Sequence, residues 1–168
     1  MAIVSSAEAG VKAADRATIL QLRAPGLSTA GLERDARRLV VESSLPVLIS
    51  SRCDVVLACA AAGVNLPERD IPTRDARTLM GSRLVCRSVH SLEDAEAAER
   101  DGADFVIFGP VWESASHPGG RAAGTAALAR VATAVRIPVL AIGGVTEERI
   151  AECLAAGAAG YAAIGLFA

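Results

Sequence analysis

The chain has 168 residues, 52% hydrophobic and 21% charged, which excludes a disordered protein and fits a single domain spanning residues 1–168 with one buried core. Seventeen Lys and Arg against nineteen Asp and Glu leave a net charge of −2, so the basic footprint of a nucleic-acid partner is missing. No apolar run approaches the roughly 18 residues of a membrane span. Met1-Ala2-Ile3-Val4 leads into Ser5, Ser6 and Glu8 without the basic start of a signal peptide, so a cytoplasmic protein is expected.

In chain order, Ala2-Ile3-Val4 is a weak strand, and only Ser6 to Ala17 separates it from the next, Thr18 to Arg23. A helix is predicted from Ser28 to Ser43, with Ser28 as N-cap. Val47 to Ser50 is a strand after Pro46. Cys53 to Ala62 is helical, stopped by Gly63, and Val64 to Leu66 is a short strand. Thr73 to Met80 is a helix, and Leu84 to Ser88 a strand. Ser91 to Asp101 is a helix with Ser91 and Asp94 spaced as a capping box. Phe105 to Phe108 is the most apolar strand. Gly109 to Ala123 is a long Gly/Pro/Ser-rich loop, of the kind that carries function. Thr125 to Val135 is helical, and Val139 to Ile142 is a strand entering Gly143-Gly144. Thr146 caps a helix to Ala156, with Glu147 and Glu148 in its first turn. Tyr161 to Ile164 is the last strand.

Apolar strands alternating with helices predict a parallel sheet covered by helices. Eight such units predict a compact α/β fold, the (β/α)₈ TIM barrel, with a doubly wound open sheet as the alternative. At 168 residues the barrel is small, with a shortened first unit and its last helix missing or reduced to one turn. Bare strands on that side predict a homo-oligomer that buries Leu166 and Phe167. The four cysteines, Cys53, Cys59, Cys86 and Cys153, form no C-x-x-C and have no histidine at metal-ligand spacing, so they read as buried small hydrophobes, with no metal site. Lys12, the sole lysine, stands next to no motif and is set aside as a Schiff-base residue.

In such a barrel chemistry sits where strands end. The polar residues there are Gln21 and Arg23, Ser50 and Ser51, Asn65, Ser88 and His90, then the Gly109–His117 stretch, Gly143-Gly144 and Gly165. Paired glycines before a helix let backbone N–H groups approach a phosphate, and Gly143-Gly144 lies where barrels hold one. The last strand brings Ala163, Ile164 and Gly165 beside that turn, while a tight turn without ligand is the plainer reading. Arg23 suits a phosphate or carboxylate, or an ion pair sealing the rim. His90 and His117, the two histidines, are the candidates for proton transfer; each alone also fits a helix-start or loop residue. Asp70 by itself is a poor metal site. Trp112 fits packing against the base of its loop.

These residues resemble the thiamine phosphate synthase/TenI family, from about Thr18 to Phe167. The resemblance is carried by Gln21-Leu22-Arg23, Arg87-Ser88-Val89-His90-Ser91-Leu92-Glu93, Gly102-Ala103-Asp104-Phe105, Phe108-Gly109-Pro110-Val111 and Ala141-Ile142-Gly143-Gly144, with Gly157-Ala158 and the Gly160–Phe167 stretch. It implies a (β/α)₈ barrel and a thiazole phosphate as ligand, with Gln21, Arg23, Ser88, Gly143, Gly144, Ala163, Ile164 and Gly165 binding it. The synthase also uses Mg²⁺. Departures from its pattern are Pro25 for a lysine, Ser50-Ser51 for Asn-Asp, Ser114-Ala115-Ser116-His117 for Thr-x-Thr-Lys, and Gly165 for a final serine; Asp70 matches. The losses fall on the metal and pyrophosphate positions. The resemblance therefore points to the TenI-like branch, a thiazole tautomerase shuttling a proton through His117 or His90 without a cofactor. The alternatives are a thiamine phosphate synthase with a degraded metal site, which would need Mg²⁺, and a non-catalytic thiazole-phosphate binder.

Overall fold

The structure, a computed structural model, describes residues 1–113 and 122–167. Eight strands alternate with seven α-helices among the described residues: β1 (Ala2–Val4), α1 (Ala7–Ala13), β2 (Leu20–Leu22), α2 (Thr29–Glu42), β3 (Val47–Ser50), α3 (Cys53–Cys59), β4 (Gly63–Leu66), α4 (Thr73–Met80), β5 (Leu84–Val89), α5 (Leu92–Arg100), β6 (Phe105–Phe108), α6 (Gly124–Ala134), β7 (Val139–Ala141), α7 (Ile150–Ala155) and β8 (Gly160–Tyr161). Every pairing is parallel and the strands lie in the order β1 to β8. This is a curled α/β sheet of the TIM-barrel-like kind.

The strands do not form the fully closed barrel expected. β8 has two residues and makes no ladder with β1. A single bridge joins those edges: Ile3 N–H donates to the Ala163 carbonyl at 3.0 Å, and Ala163 N–H to the Met1 carbonyl at 3.2 Å.

The alternation of side chains along each strand sorts the core into layers. Leu20, Leu22, Val64 and Leu66 point outward, against the helices. Met1, Ile3, Leu48, Cys86, Phe105, Ile107 and Ala162 form a separate cluster inside the curl, with Ile19, Leu84, Leu140 and Ile142 against it. Two residues on from Ile19, Leu48, Gly63 and Cys86, the same inner face carries Gln21, Ser50, Asn65 and Ser88.

Local signals set several helix ends. Ser28 caps α2 by accepting from Gly31 N–H, and Ser91 caps α5 by accepting from Asp94 N–H at 3.0 Å. The third helix departs from expectation. It stops at Cys59 because Ala60 takes the left-handed conformation (φ 54°), while Gly63 already belongs to β4. A Cβ at Gly63 would lie 2.1 Å from the Leu84 carbonyl oxygen, so its role is close approach of two strands rather than a helix stop. The short first unit holds α1 and a 3₁₀ turn, Ala14–Arg16. After β8 comes one 3₁₀ turn, Gly165–Phe167.

Phe167 does not need a second copy to cover it. It is 8% exposed, packs in the cluster that holds Ala2 and Val4, and stacks on Tyr161 with ring centroids 6.2 Å apart. Phe167 is therefore covered by its own chain. All four cysteines are buried and unpaired, as their apolar settings predict, and burial pushes each thiol above its ordinary range. Among the described residues, no helix is long and apolar enough to cross a membrane.

Candidate functional site

The C-terminal ends of β2, β4 and β5 bring three polar side chains onto the inner face. Gln21 is 1% exposed, and its Oε1 is a buried acceptor with no partner among the described residues. Such an atom is costly unless something donates to it. Asn65, also buried, donates from Nδ2 to Ser88 Oγ at 3.3 Å. Arg23, one step beyond β2, is exposed, and its guanidinium meets no carboxylate among the described residues. Among the described residues no ion pair of Arg23 seals the rim. Backbone bonding fixes Arg23 in place: its N–H donates to the Val4 carbonyl at 2.8 Å.

His90 stands at the end of β5, half exposed. Its Nδ1 bonds the Gly109 carbonyl beyond β6. A carbonyl only accepts, so Nδ1 carries the proton and Nε2 is left to exchange one. Nε2 lies 3.8 Å from Glu68 Oε2, an ion pair whenever the imidazole is protonated. The other candidate, His117, lies outside the described residues, with Ser114 and Ser116.

The glycine turn is more occupied than its sequence suggests. Gly143 and Gly144 have φ of 90° and 65°. A Cβ at Gly143 would lie 2.5 Å from Pro110 Cβ, and one at Gly144 would lie 2.5 Å from the Glu113 carbonyl oxygen. The start of the β6 loop is laid along the turn: Val111 N–H donates to Ile142 at 2.8 Å and Trp112 N–H to Gly143 at 3.0 Å. Arg149 clamps the two, donating to the Gly144 carbonyl at 2.7 Å with its guanidinium 5.1 Å over the Trp112 ring. Trp112 packs at the loop base, as expected. The Ile142 and Gly143 carbonyls are thus used by the loop and the Gly144 carbonyl by Arg149, and the amides of Gly143 and Gly144 have no acceptor among the described residues.

Two expectations about this phosphate site change. The helix after the turn starts as a 3₁₀ segment, Glu147–Arg149, before the six-residue α7, and Thr146 makes no side-chain cap, so its dipole is weak. Ala163 cannot offer its amide, because that N–H is bonded to Met1 across the seam. Ile164 is 48% exposed and faces a cavity instead.

That cavity, of about 530 Å³, lies at the ends of β1, β2 and β8 and is lined by Ser5, Glu8, Lys12, Arg23, Pro25 and Ile164 among others. That Lys12 and Glu8 line this cavity was not legible in the sequence. They lie on α1, away from every motif, and the one available signal was that the chain's only lysine precedes Arg23 by a single helix.

The residues do not fit a two-carboxylate Mg²⁺ clamp. Among the described residues no three His, Cys, Asp or Glu gather as a metal-binding group. Ser50-Ser51 offer hydroxyls, and Asp70 accepts from Ile71 N–H at 2.8 Å. Nearby Asp54 is held by Arg52 at 2.5 Å, which keeps its carboxyl below the ordinary range.

A curled parallel α/β sheet with its unpaired polar groups at the strand C-termini defines a TIM-barrel-like protein with an open mouth. The chain belongs to the thiamine monophosphate synthase family, whose model matches residues 2–167. It is 36% identical over 152 residues to thiamine-phosphate synthase of Chloroflexus aurantiacus, covering 88% of this chain and 70% of that one. Thiamine-phosphate synthase of Chlorobium luteolum is 37% identical over 153 residues, 88% of this chain and 72% of that one. The solved thiamine phosphate pyrophosphorylase of Pyrococcus furiosus superposes with a TM-score of 0.88 at 30% identity, covering 97% of this chain and 83% of that one. The relatives carry the synthase name. Nothing in these likenesses singles out the tautomerase branch.

Proposed function

We propose that this chain is a transferase of thiamine biosynthesis, of the thiamine-phosphate synthase type, whose mouth binds a thiazole phosphate. The names of its relatives support the reaction class. The observation that carries the ligand is the buried Oε1 of Gln21, two residues before Arg23 on the same strand; neither has a partner for its oxygen or guanidinium charge among the described residues. An acceptor and a cation set on one strand suit a ligand with a hydrogen-bond donor on its ring and an anionic substituent. The free amides of Gly143 and Gly144 are a second place for a phosphate. In this reading Gln21 orients the ring, Arg23 holds an anionic oxygen, and the Asn65–Ser88 pair closes the floor of the mouth.

A specific observation favours a second reading, the metal-free tautomerase. His90 is anchored through Nδ1, and its Nε2 faces the Glu68 carboxylate at 3.8 Å, which is the arrangement of a proton shuttle. One assay separates the two. The protein is incubated with pyrimidine pyrophosphate and thiazole phosphate in the presence of Mg²⁺, and product is followed as thiamine phosphate. In parallel, aromatisation of the thiazole carboxylate phosphate is followed without metal. Thiamine phosphate formation that is abolished in R23Q is the expected result. Tautomer turnover alone, lost in H90N, would replace the first reading by the second, and turnover of neither would leave a binding protein.

A further inference from the structure

The glycine turn after β7 is held from one side only. Three successive carbonyls, those of Ile142, Gly143 and Gly144, accept from Val111 N–H at 2.8 Å, Trp112 N–H at 3.0 Å and Arg149 Nη1 at 2.7 Å. Gly109-Pro110 is the one cis peptide among the described residues, so each peptide of the turn is trans and its N–H points opposite to its C=O. The amides of Gly143, Gly144 and Val145 are therefore turned away from the β6 loop, and none has an acceptor among the described residues. Positive φ at both glycines lets the chain run this way. A Cβ at Gly143 or Gly144 would strike Pro110 or Trp112, at 2.5 and 2.7 Å, so the loop is seated directly on the turn.

The first two carbonyls are met by the backbone of the loop, and the third is met by a side chain. Arg149 lies at the end of the 3₁₀ segment Glu147–Arg149 and is half-buried. Its guanidinium bonds the Gly144 carbonyl and at the same time lies 5.1 Å over the Trp112 ring. One planar group thus joins the far end of the turn to the loop that lies on it. A lysine ammonium has no planar fork with which to serve both partners. Arg149 forms no ion pair among the described residues, so its charge is not neutralised beside the turn.

We propose that Arg149 is a positioning residue: by tying the Gly144 carbonyl to the Trp112 ring, it presets the amides of Gly143, Gly144 and Val145 for an anionic oxygen. The proposal rests on reading this turn as a place for a phosphate, and it adds the side chain that fixes the geometry of that place. Amides held in position before the anion arrives lose less freedom on binding than amides that the anion must gather. Arg149 acts through the backbone it holds.

The probe is inorganic phosphate, titrated into isotopically labelled protein while the amide signals of the turn are followed by NMR. The wild type is compared with R149M, R149K and W112L. R149M keeps an apolar stem against the ring and loses the bond to Gly144, whereas W112L keeps that bond and loses the ring. Phosphate is expected to move the Gly143, Gly144 and Val145 signals of the wild type. The affinity read from those signals should fall about tenfold in R149M and about threefold in R149K and in W112L. In R149M the same three signals should already be displaced in the free protein, while those of β1 to β5 stay in place and report an intact fold. Wild-type affinity in R149M would overturn the role of Arg149. Wild-type affinity in R149K would show that charge alone is needed, and in W112L that the tie to the ring is idle; either result overturns the proposal as well. These failures leave the phosphate place standing. Wild-type amides that phosphate does not move would instead refute the turn as a phosphate place, and the proposal with it.

Discussion

Two arginines, Arg77 at the N-terminal end of the strands and Arg23 at the C-terminal end, are held in opposite ways. At the N-terminal end, Arg77 spends its whole guanidinium on the protein: Nε bonds the Gly102 carbonyl at 2.9 Å, Nη1 bonds Gly81 and Arg83 at 2.8 and 2.7 Å, and Nη2 bonds Asp104 at 2.5 Å. Asp104 in turn accepts from Val85 N–H at 2.7 Å, which stitches β5 to the start of β6. At the C-terminal end, Arg23 meets no carboxylate and Gln21 leaves a buried oxygen bare among the described residues, while Arg87 bonds the Ile71 and Glu68 carbonyls, each at 2.7 Å. At the C-terminal end satisfied groups, such as Arg87 and the Asn65–Ser88 pair, stand beside two that are not satisfied among the described residues, and in the proposed function those two are the ligand contacts.

The largest effect is expected at the N-terminal end, in the sheet itself. Gly63→Ala puts a methyl group 2.1 Å from the backbone oxygen of Leu84, which cannot swing away. It should destabilise by about 3 kcal/mol or abolish soluble protein, measured by urea denaturation. Full stability in that variant would show that β4 and β5 can part, and the contrast between the ends would lose its rigid member.

Next is the arginine pair. Arg77→Ala removes four acceptor contacts from a partly exposed site and should cost about 2 kcal/mol. Arg23→Ala should change stability by less than about 0.5 kcal/mol while weakening phosphate-ester binding at least tenfold. Equal denaturation midpoints for the two variants would erase the distinction.

A smaller change of opposite sign is expected at Gln21. Gln21→Leu keeps the volume and removes the unpartnered oxygen, so thermal unfolding should show a gain of about 1 kcal/mol together with loss of ligand binding. A destabilised variant would mean that Gln21 already has a donor in the free protein. The smallest effect belongs to Arg149→Met. Loss of the stack on the only tryptophan should cost about 0.5–1 kcal/mol and shift the emission of Trp112. An unchanged spectrum would separate Arg149 from the β6 loop.

Much of the fold was legible because its signals are local. Val47–Ser50, Thr73–Met80 and Phe105–Phe108 have the bounds their patterns imply, and Ser28 and Ser91 cap the helices they precede. Misreadings arose where a residue answers to a distant neighbour. Gly63 looks like a helix stop but is required by Leu84 on the next strand. Tyr161 to Ile164 reads as one strand, yet only Gly160–Tyr161 pairs with β7, while Ala163 turns its amide to Met1. At the site, Gln21, Arg23, Ser88 and His90 were named from their places at strand ends, and their positions there hold. That Lys12 lines a cavity with Arg23 was not legible, since nothing around it in sequence points there.

The order of strands and helices, the buried cysteines and the polar residues at the strand ends follow from periodicity, capping and glycine punctuation, which act over a few residues and can be read along the chain. Which of those polar residues is satisfied is a different question, because each partner lies on another strand or helix. Curling the sheet laid the β6 loop on the glycine turn, consumed the Ala163 amide at the seam, left Oε1 of Gln21 bare, and set Lys12 across a cavity from Arg23. Those outcomes depend on where segments more than ten residues apart come to rest, so only the tertiary structure could decide them.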